Sequence, residues 1–331
     1  MSLNGRWGPS YYIGRRFTTM SLVGFSLAAG STSLDDAAHA TLLADRLLLA
    51  APQLRRAAFA VGLSTDERNA LCVMVLADRK AGIAGLDGDT PRPLRQISKL
   101  FTAFQRLIVP EAPSQARRIA PWLEKIWVTP TFAPVLHAAP SESISSSPSG
   151  KHGKIGTNVS WPAGAGYLLA GHVADAPPNG SISDQPGNLG TLSYHCNPAN
   201  GVNAVLADVA VVSFGARLVR RYTAIAPPLG PNADVTVQTS RGGSARAYTA
   251  TVKGVMRYAF LSPPVNGTWG ELYYASPCVT QLGDSGAPVE DTSGALVGHV
   301  VAGSAYTYIQ QAEYQLSEIR QKSSAHATLR L

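Results

Sequence analysis

Residues 235–252 read Val-Thr-Val-Gln-Thr-Ser-Arg-Gly-Gly-Ser-Ala-Arg-Ala-Tyr-Thr-Ala-Thr-Val. Apolar and polar side chains alternate on both sides of Gly242-Gly243, a pattern that predicts two half-buried strands joined by a hairpin turn. Short apolar runs of the same kind recur in the second half of the chain, at 166–169, 204–206, 209–212, 271–274 and 296–301. Because no helical period separates these runs, this half is predicted to form a β-barrel or a β-sandwich.

The composition favours many short strands. The 331 residues include 31 glycines and 23 prolines, more than an average protein has, and both residue types favour turns. Hydrophobic residues make up 45%, which excludes a disordered chain. No apolar run reaches the roughly 18 residues of a membrane span, so no transmembrane segment is expected.

Charge and cysteine content exclude several further classes of protein. The net charge of +7 is scattered along the chain rather than clustered, so no nucleic-acid partner is expected. Three cysteines exclude a disulfide-dense scaffold, and their spacing matches no zinc site. We therefore expect neither a metal nor a cofactor.

The N-terminal part of the chain has a different pattern. In residues 1–32, Arg15-Arg16 stands ahead of an apolar run and resembles a weak export signal. A leader that is not exported is the alternative, so the localisation is open between exported and cytoplasmic. From 33 to 125 apolar residues recur every three or four positions, the spacing of helices that bury one face.

This spacing predicts an α-helical N-terminal domain over residues 33–125. One helix is expected to continue through Ala58 and Val61. The next is expected through residues 71–76, after Ser64-Thr65-Asp66-Glu67, which has the pattern of a capping box. Such a domain would serve either as a pro-region or for binding a partner.

Two further segments differ from the strands around them. Residues 140–153 are rich in serine, glycine and proline and are predicted to be an exposed loop or linker. A helical pattern returns over 310–322, which predicts a C-terminal helix followed by a tail at 323–331.

Three polar residues of the second half lie in sequence contexts that indicate a catalytic role rather than a role in core packing. Ser285 lies in Gly283-Asp284-Ser285-Gly286-Ala287-Pro288, where glycines let backbone amides gather beside its hydroxyl. His172 follows the apolar run Leu168-Leu169, which places an imidazole at a strand end. Asp208 interrupts an apolar run, and a buried carboxylate needs a partner such as an imidazole N–H. Asp175 and Asp184 are the alternative acids.

In the order histidine, aspartate, serine, these segments resemble the chymotrypsin-like (trypsin-fold) serine proteases, in particular their compact bacterial branch. The chain has Leu169-Ala170-Gly171-His172, Asp208-Val209-Ala210 and Gly283 to Pro288 where the family has Thr-Ala-(Ala/Gly)-His, Asp-(Ile/Val)-Ala and Gly-Asp-Ser-Gly-Gly-Pro. The resemblance covers residues 126–322. It implies a mainly β fold of two antiparallel six-stranded β-barrels with a C-terminal helix.

The resemblance also implies a function, that of a serine endopeptidase acting on a peptide or protein substrate. Ser285 would be the nucleophile, His172 the general base and acid, and Asp208 the residue that orients the imidazole. The backbone N–H groups of Gly283 and Ser285 would form the oxyanion hole. The alternative is a catalytically silent, protease-like binding module whose working part is the helical domain. The oligomeric state is open.

The same resemblance assigns the specificity pocket to Val279, Val301 and Gly303. Since Val279 carries no charge, we expect neutral side chains before the cut. His299, on the strand that borders the pocket, is near the position of a pocket histidine in some glutamate-specific relatives but is one residue out of register, so it is expected instead to face solvent. Cys278 is seven residues before the serine rather than the usual four, so a disulfide with Cys196 is left open.

Overall fold

The structure is a computed structural model, and several segments of the chain fall outside what it describes. It describes residues 34–50, 58–86, 88, 90–108, 113–136, 144–146, 151–161, 164–174, 180–184, 187–198, 205–213, 222–259, 268–323 and 328–329. The leader expected at 1–32 and the alternative acid Asp175 therefore lie outside the described residues.

Helices and strands are as follows. The α-helices are α1 (Leu34–Ala50), α2 (Ser98–Ile108), α3 (Pro113–Leu123) and α4 (Ala312–Ser323), and short 3₁₀ turns occur at Arg79–Ala81 and Leu94–Gln96. The strands up to residue 169 are β1 (Ala58–Thr65), β2 (Leu71–Asp78), β3 (Arg92–Pro93), β4 (Ile126–Thr131), β5 (Val135–Leu136), β6 (Ile144–Ser146), β7 (Lys151–Gly153), β8 (Thr157–Trp161) and β9 (Gly164–Leu169). The remaining strands are β10 (Ser181–Asp184), β11 (Gly187–Cys196), β12 (Val205–Leu206), β13 (Val209–Ser213), β14 (Asp234–Arg241), β15 (Ser244–Ala259), β16 (Thr268–Ser276), β17 (Pro288–Glu290), β18 (Leu296–Gly303), β19 (Thr307–Gln311) and β20 (Thr328–Leu329).

The fold is mainly β, with two sheets. The first has 12 strands, in the order β12-β16-β19-β18-β17-β14-β15-β1-β2-β4-β3 with β5 on β18. Because β15 also pairs with β16, the six strands from β14 to β19 form a closed ring of pairings. The second has eight strands, in the order β20-β8-β9-β13-β11-β10-β6-β7. The predictions of a mainly β fold and of a C-terminal helix, α4, are confirmed.

The hairpin around Gly242-Gly243 is confirmed. It joins β14 to β15, which pair antiparallel from Arg241 opposite Ser244 onward. Gly242 and Gly243 have φ of 56° and 73°, values that a two-residue turn matching the twist of the strands requires and that favour glycine.

The helices predicted through Ala58 and Val61 and through residues 71–76 are wrong. These residues belong to β1 and β2, which pair with each other, and β1 also pairs with β15, with Ala60 opposite Tyr258. Nearly every residue of both strands is buried. A strand buried on both sides is a continuous apolar run, and such a run also satisfies the spacing of a helix face.

The apparent capping box marks a turn instead. Asp66 Oδ1 accepts hydrogen bonds at 2.9 Å from the backbone N–H groups of Arg68 and Ala70, and Asn69 has a φ of 57°. A short acidic side chain satisfies turn amides as readily as helix amides, so the same residues fit both structures.

One apolar core joins the N-terminal segments to the closed ring. Its buried members include Leu43 and Leu47 of α1, Phe104 of α2, Val61 and Val73 of β1 and β2, and Val235, Val252 and Val300 of the ring. Helices α1, α2 and α3 thus pack on the same sheet that carries the predicted serine turn.

The prediction that 140–153 is an exposed loop is wrong for its described residues. Strands β6 and β7 pair with each other, and β6 pairs with β10 at Ser146 opposite Ile182. Gly153 is buried, and a Cβ there would lie 2.6 Å from the Ser285 carbonyl oxygen. Strand pairing uses backbone groups, so a serine-rich composition does not prevent it.

Candidate active site

The side chain of His172 contacts those of both Asp208 and Ser285. Asp208 lies 36 residues after His172 in the sequence, and Ser285 lies 113 residues after it. His172 lies in the turn after β9, Asp208 lies between β12 and β13, and Ser285 lies just before β17. The Nδ1 atom of His172 is 2.5 Å from Asp208 Oδ2, and its Nε2 atom is 2.9 Å from Ser285 Oγ. All three side chains are buried. The imidazole therefore bridges a carboxylate and a hydroxyl.

The turn that carries Ser285 is shaped by its glycines. Gly283 and Gly286 have φ of 93° and 90°, in the region that favours glycine. A Cβ on Gly286 would lie 2.2 Å from the Lys154 carbonyl oxygen. Neither the Gly283 nor the Ser285 amide donates a hydrogen bond to another described residue. Both residues are buried.

Asp284 anchors this turn to the closed ring. Its carboxylate is almost fully buried and accepts hydrogen bonds from Thr239 Oγ1 at 2.6 Å, Arg241 Nη2 at 2.7 Å and the Gln281 amide at 2.9 Å. The Arg241 guanidinium also stacks on Tyr248, 4.1 Å from the ring centroid. Sequence reasoning missed Arg241 and Thr239, because a polar residue near a hairpin turn is common and carries no sign of its partner.

The Asp208 carboxylate accepts hydrogen bonds from the turn after β9 and from β16. Its Oδ1 accepts the His172 backbone N–H at 2.7 Å, and its Oδ2 accepts the Trp269 indole N–H at 3.0 Å. The Asp208 backbone N–H donates a hydrogen bond to Gln310 Oε1 at 2.5 Å, and the Asp208 carbonyl oxygen accepts one from Gln315 Nε2 at 3.0 Å. Sequence reasoning missed these three donors and acceptors, since no motif relates them to Asp208.

The charge state of Asp208 follows from these contacts. Burial raises the pKa of Asp208, but the facing His172 and the hydrogen bonds from His172 and Trp269 together hold that pKa below its ordinary value. The group therefore stays ionised at neutral pH. An ionised carboxylate on Nδ1 keeps that nitrogen protonated and leaves Nε2 as the acceptor that faces the serine hydroxyl.

Of the two alternative acids, only the backbone of Asp184 is described. Asp184 lies at the end of β10, paired with Gly187 of β11, while His172 contacts Asp208. Only glycine fits at position 171, directly before His172, because a Cβ on Gly171 would lie 2.0 Å from the Cys196 carbonyl oxygen.

Cys196 and Cys278 are both free thiols, so the disulfide left open by the sequence is not formed.

Of the predicted pocket residues, Val301 lies next to Ser285. The Val301 carbonyl oxygen lies 3.2 Å from Ser285 Oγ. The Val279 amide donates to Thr307 Oγ1 at 3.0 Å, and Thr307 pairs with Gly303 across β18 and β19. Val301 and Gly303 therefore lie on the strand that passes the hydroxyl.

The expectation that His299 faces solvent is wrong. Its ring is fully buried, with Nδ1 at 2.7 Å from Gln315 Oε1. Burial lowers the pKa of His299 to about 4, so the ring is neutral at physiological pH. Gly156 provides the space for the ring, because a Cβ there would lie 2.3 Å from it.

Comparisons with known proteins give matches only among solved structures. No family model and no curated protein matches the chain. The inactive form of the Rv3671c protease, from M. tuberculosis H37Rv, is 19% identical with a TM-score of 0.39, over 54% of this chain and 86% of its own. A glutamic acid specific serine protease is 14% identical with a TM-score of 0.41, over 56% and 98%.

A third match is the MamO protease domain of Magnetospirillum magneticum, 13% identical with a TM-score of 0.35, over 55% of this chain and 97% of its own. The solved structures to which the chain is similar are trypsin-like serine proteases, the class that its motifs resemble. Among the described helices, none is both long and apolar enough to cross a membrane.

Proposed function

We propose that the protein is a serine endopeptidase in which His172, Asp208 and Ser285 form a catalytic triad. The observation that carries the proposal is the buried hydrogen-bonded series Asp208–His172–Ser285, at 2.5 and 2.9 Å. A serine hydroxyl becomes a nucleophile when a positioned base can take its proton, and a base is oriented by a third group. All of these elements are side chains of this chain.

The reaction follows from the positions of these atoms. Ser285 Oγ attacks the carbonyl carbon of a peptide bond while His172 Nε2 takes the hydroxyl proton. The imidazolium that forms is stabilised by the Asp208 carboxylate and then donates the proton to the leaving amine. An acyl-enzyme ester on Ser285 remains, and a water molecule activated by His172 hydrolyses it.

We propose the amides of Gly283 and Ser285 as the oxyanion hole. They are buried next to the hydroxyl and lack acceptors among the described residues, which supports this role. Asp284 holds the turn between them through Arg241. Preorganised N–H groups of this kind stabilise the charge that develops on the carbonyl oxygen.

The proposed architecture is that of two β-barrels. The closed ring from β14 to β19 supports one of them, with six strands. The strands of the second sheet would form the other, with the triad between the two. His172 and Asp208 flank strands of the second sheet, whereas Ser285 precedes β17 of the ring.

We propose a preference for neutral side chains on the acyl side of the cut. Val279 at the proposed pocket base is uncharged, and its amide is bonded to the Thr307 hydroxyl. A peptide library should therefore show no preference for lysine or arginine at this position. A strong preference for either would contradict the assignment of Val279, Val301 and Gly303 to the pocket.

Residues 33–125 are proposed to act as a pro-region or as a partner-binding segment. The shared core and the pairing of β1 with β15 support a role in forming or covering the proteolytic part. Assaying a chain that starts at residue 126 tests this. Folding and cleavage equal to those of the full chain would favour partner binding.

A fluorophosphonate probe tests the endopeptidase proposal, because it labels only an activated serine. We expect one label, on Ser285, and hydrolysis of an unstructured protein substrate. Ser285→Ala should keep the fold and lose about 10⁶-fold in kcat. An unlabelled protein with a native melting curve would instead support the alternative, a silent binding module.

A further inference from the structure

The peptide groups on either side of Asp208 are held by two buried glutamines. The Asp208 N–H donates to Gln310 Oε1 at 2.5 Å, and the Asp208 carbonyl oxygen accepts from Gln315 Nε2 at 3.0 Å. Gln310 belongs to β19 and Gln315 to α4, and neither side chain is exposed to solvent. The main chain of the proposed catalytic acid is therefore fixed by groups from outside its own strand.

Each of these side-chain amides fits in one orientation. A backbone N–H can only donate, so Gln310 turns its oxygen to Asp208, and its Nε2 donates to the Gly270 carbonyl oxygen at 2.8 Å. A backbone carbonyl can only accept, so Gln315 turns its nitrogen to Asp208. The oxygen of Gln315 then needs a donor of its own, because a buried amide oxygen without one is costly.

His299 supplies that donor. Its Nδ1 atom lies 2.7 Å from Gln315 Oε1, and its ring is fully buried. A neutral imidazole carries a proton on one nitrogen, and because Gln315 Oε1 can only accept, that proton lies on Nδ1. Nε2 has no hydrogen-bond partner among the described residues. The ring therefore directs its one N–H to Gln315.

These contacts form a continuous series from His299 to the serine. It runs from His299 through Gln315, Asp208 and His172 to Ser285. Every side chain in the series is at most 2% exposed. Hydrogen bonds in such a water-excluded interior are stronger than in water, and members of a network depend on one another. A change at His299 can thus reach the Asp208 carboxylate without a direct contact.

We propose that His299 is a positioning residue for the catalytic triad, acting through Gln315 on the backbone of Asp208. This inference rests on the proposed endopeptidase function, and no atom of His299 takes part in the reaction. By keeping the Gln315 nitrogen turned to the Asp208 carbonyl oxygen, His299 keeps the Asp208 carboxylate aligned with the imidazole of His172. Small errors in such an alignment lower the rate of the chemical step.

A purely structural role for His299 makes a different prediction. Its ring fills space that Gly156 leaves, since a Cβ on Gly156 would lie 2.3 Å from the ring. For filling that space, the shape of the side chain matters and the Nδ1 proton does not. The two roles therefore separate when the N–H group is removed or kept.

The test compares His299→Leu with His299→Gln, by kcat and KM for a peptide substrate. Leucine fills much of the space but has no N–H, so we expect a loss of about tenfold in kcat with KM changed by less than about twofold. Glutamine can donate from its own amide and should restore most of kcat. Equal kcat in the two variants, or a loss confined to KM, overturns the proposal.

A double-variant cycle tests whether the effect passes through Gln315. Gln315→Leu alone should also lower kcat, because the Asp208 carbonyl oxygen loses its donor. Adding His299→Leu to Gln315→Leu should then cost little more. If the losses of the two single variants multiply instead, His299 acts independently of Gln315, and the proposal is overturned.

Tyr222→Phe is the matched control for the loss of a buried hydrogen bond. The buried Tyr222 hydroxyl donates to Glu290 Oε1 at 2.7 Å, at the end of β17 that is further from Ser285 in the sequence. This variant should lower the free energy of unfolding but leave kcat unchanged. A loss of kcat equal to that of His299→Leu would be a general response of the fold and would overturn the proposal.

The proton on His172 Nδ1 gives a readout that does not depend on turnover. Its hydrogen bond to the Asp208 carboxylate shifts its NMR resonance far downfield. That resonance should move upfield in His299→Leu and return in His299→Gln. An unmoved resonance in His299→Leu overturns the proposal.

A fluorophosphonate probe on the same proteins separates this inference from the proposed function. Labelling of Ser285, with kcat and the Nδ1 resonance unchanged in His299→Leu, rejects the positioning role alone. Absence of labelling in the folded, unchanged protein rejects the endopeptidase function, and the resonance by itself then decides whether His299 positions Asp208.

Discussion

The turn around Ser285 and the pair formed by His172 and Asp208 are held in place in different ways. The serine turn is anchored mainly within its own sheet, by Arg241 of β14 and by a hydrogen bond from the Gly286 amide to Val300 of β18. The anchor of the turn includes a full ion pair, Arg241 to Asp284 at 2.7 Å.

The histidine–aspartate pair depends instead on groups from elsewhere in the fold. His172 and Asp208 flank strands of the second sheet, yet Asp208 is held by Trp269 of β16 and Gln310 of β19 in the first sheet, and by Gln315 of α4. These three partners are neutral. The geometry of the pair therefore requires that the two sheets pack correctly, whereas the serine turn requires mainly its own strands.

The largest expected effect, after loss of Ser285 itself, comes from the acid of the pair. Asp208→Asn should fold but lose roughly 10⁴-fold in kcat, because the amide favours the wrong tautomer of His172. Steady-state hydrolysis of a peptide substrate measures this, with Asp184→Asn as the control. Full activity in Asp208→Asn together with loss in Asp175→Asn would show that the acid is Asp175.

On the serine side, Arg241→Met should have a smaller effect on activity and a large one on stability. It leaves the buried Asp284 carboxylate without its cation, which is expected to cost about 3 kcal/mol in the free energy of unfolding. Distortion of the neighbouring Gly283 amide should lower kcat about 10²-fold. Urea unfolding and steady-state kinetics measure the two effects.

The matched control for that change is Arg246→Met, on the exposed part of the same hairpin. Arg246→Met should leave the free energy of unfolding and kcat unchanged. Adding Asp284→Asn to Arg241→Met should recover part of the stability, because the unpaired charge is removed. If Arg241→Met behaved like Arg246→Met, the ion pair would have no part in holding the serine turn.

Across the sheet boundary, Trp269→Phe should lower kcat/KM about tenfold. It removes the indole N–H that Asp208 Oδ2 accepts at 3.0 Å, and a hydrogen bond to a charged group is worth about 1.5–3 kcal/mol. Trp127→Phe is the control, since Trp127 packs on the same apolar cluster without contacting Asp208. Equal losses in kcat/KM for the two variants would contradict a specific role of the indole N–H.

The smallest effect on activity is expected from His299→Gln, which should alter the pH dependence of stability instead. The folded pKa is about 4 against an ordinary 6.5, so between these values the unfolded chain binds a proton that the folded chain does not. Stability should therefore fall as the pH drops through this window, by up to about 3 kcal/mol from this group.

In His299→Gln that loss between pH 6.5 and 4 should disappear, as measured by urea unfolding at a series of pH values. The contribution of Asp208, whose pKa is lowered, is lost mainly near and below its ordinary value of 3.8, and it is the same in the unchanged protein and in His299→Gln. His39→Gln on α1 is the control. Parallel loss of stability in the unchanged protein and in His299→Gln would contradict the burial of a neutral ring.

The strands and the site residues of the second half were predictable for a local reason. The hairpin at Gly242-Gly243 and the turn around Ser285 have their signals within a few residues, as glycines that the backbone conformation requires. The apolar run interrupted by Asp208 signals a buried carboxylate in the same way. These signals do not depend on which strands become neighbours.

The first half was harder to predict because its strands are buried on both sides. Residues 58–65 and 71–78 satisfy the period of a helix as well as that of a buried strand. The strand pairing that decides the outcome is long-range, because β1 pairs with β15, with Ser64 opposite Gly254, and β2 pairs with β1 and with β4. The serine-rich composition of residues 140–153 predicts a loop, whereas the described residues of this segment form β6 and β7, which pair through backbone groups.

Local sequence is sufficient to identify Ser285, His172 and Asp208 as candidate catalytic residues. Each of them lies in a short segment that has either a backbone conformation requiring glycine or a polar residue in an apolar run. Only the folded chain brings Trp269, Gln310 and Arg241 to those groups and lays β5 along β18 beside Ser285. The reason is that side-chain partners and strand neighbours are chosen by long-range packing and by backbone hydrogen bonds, and neither leaves a pattern within any one segment of the sequence.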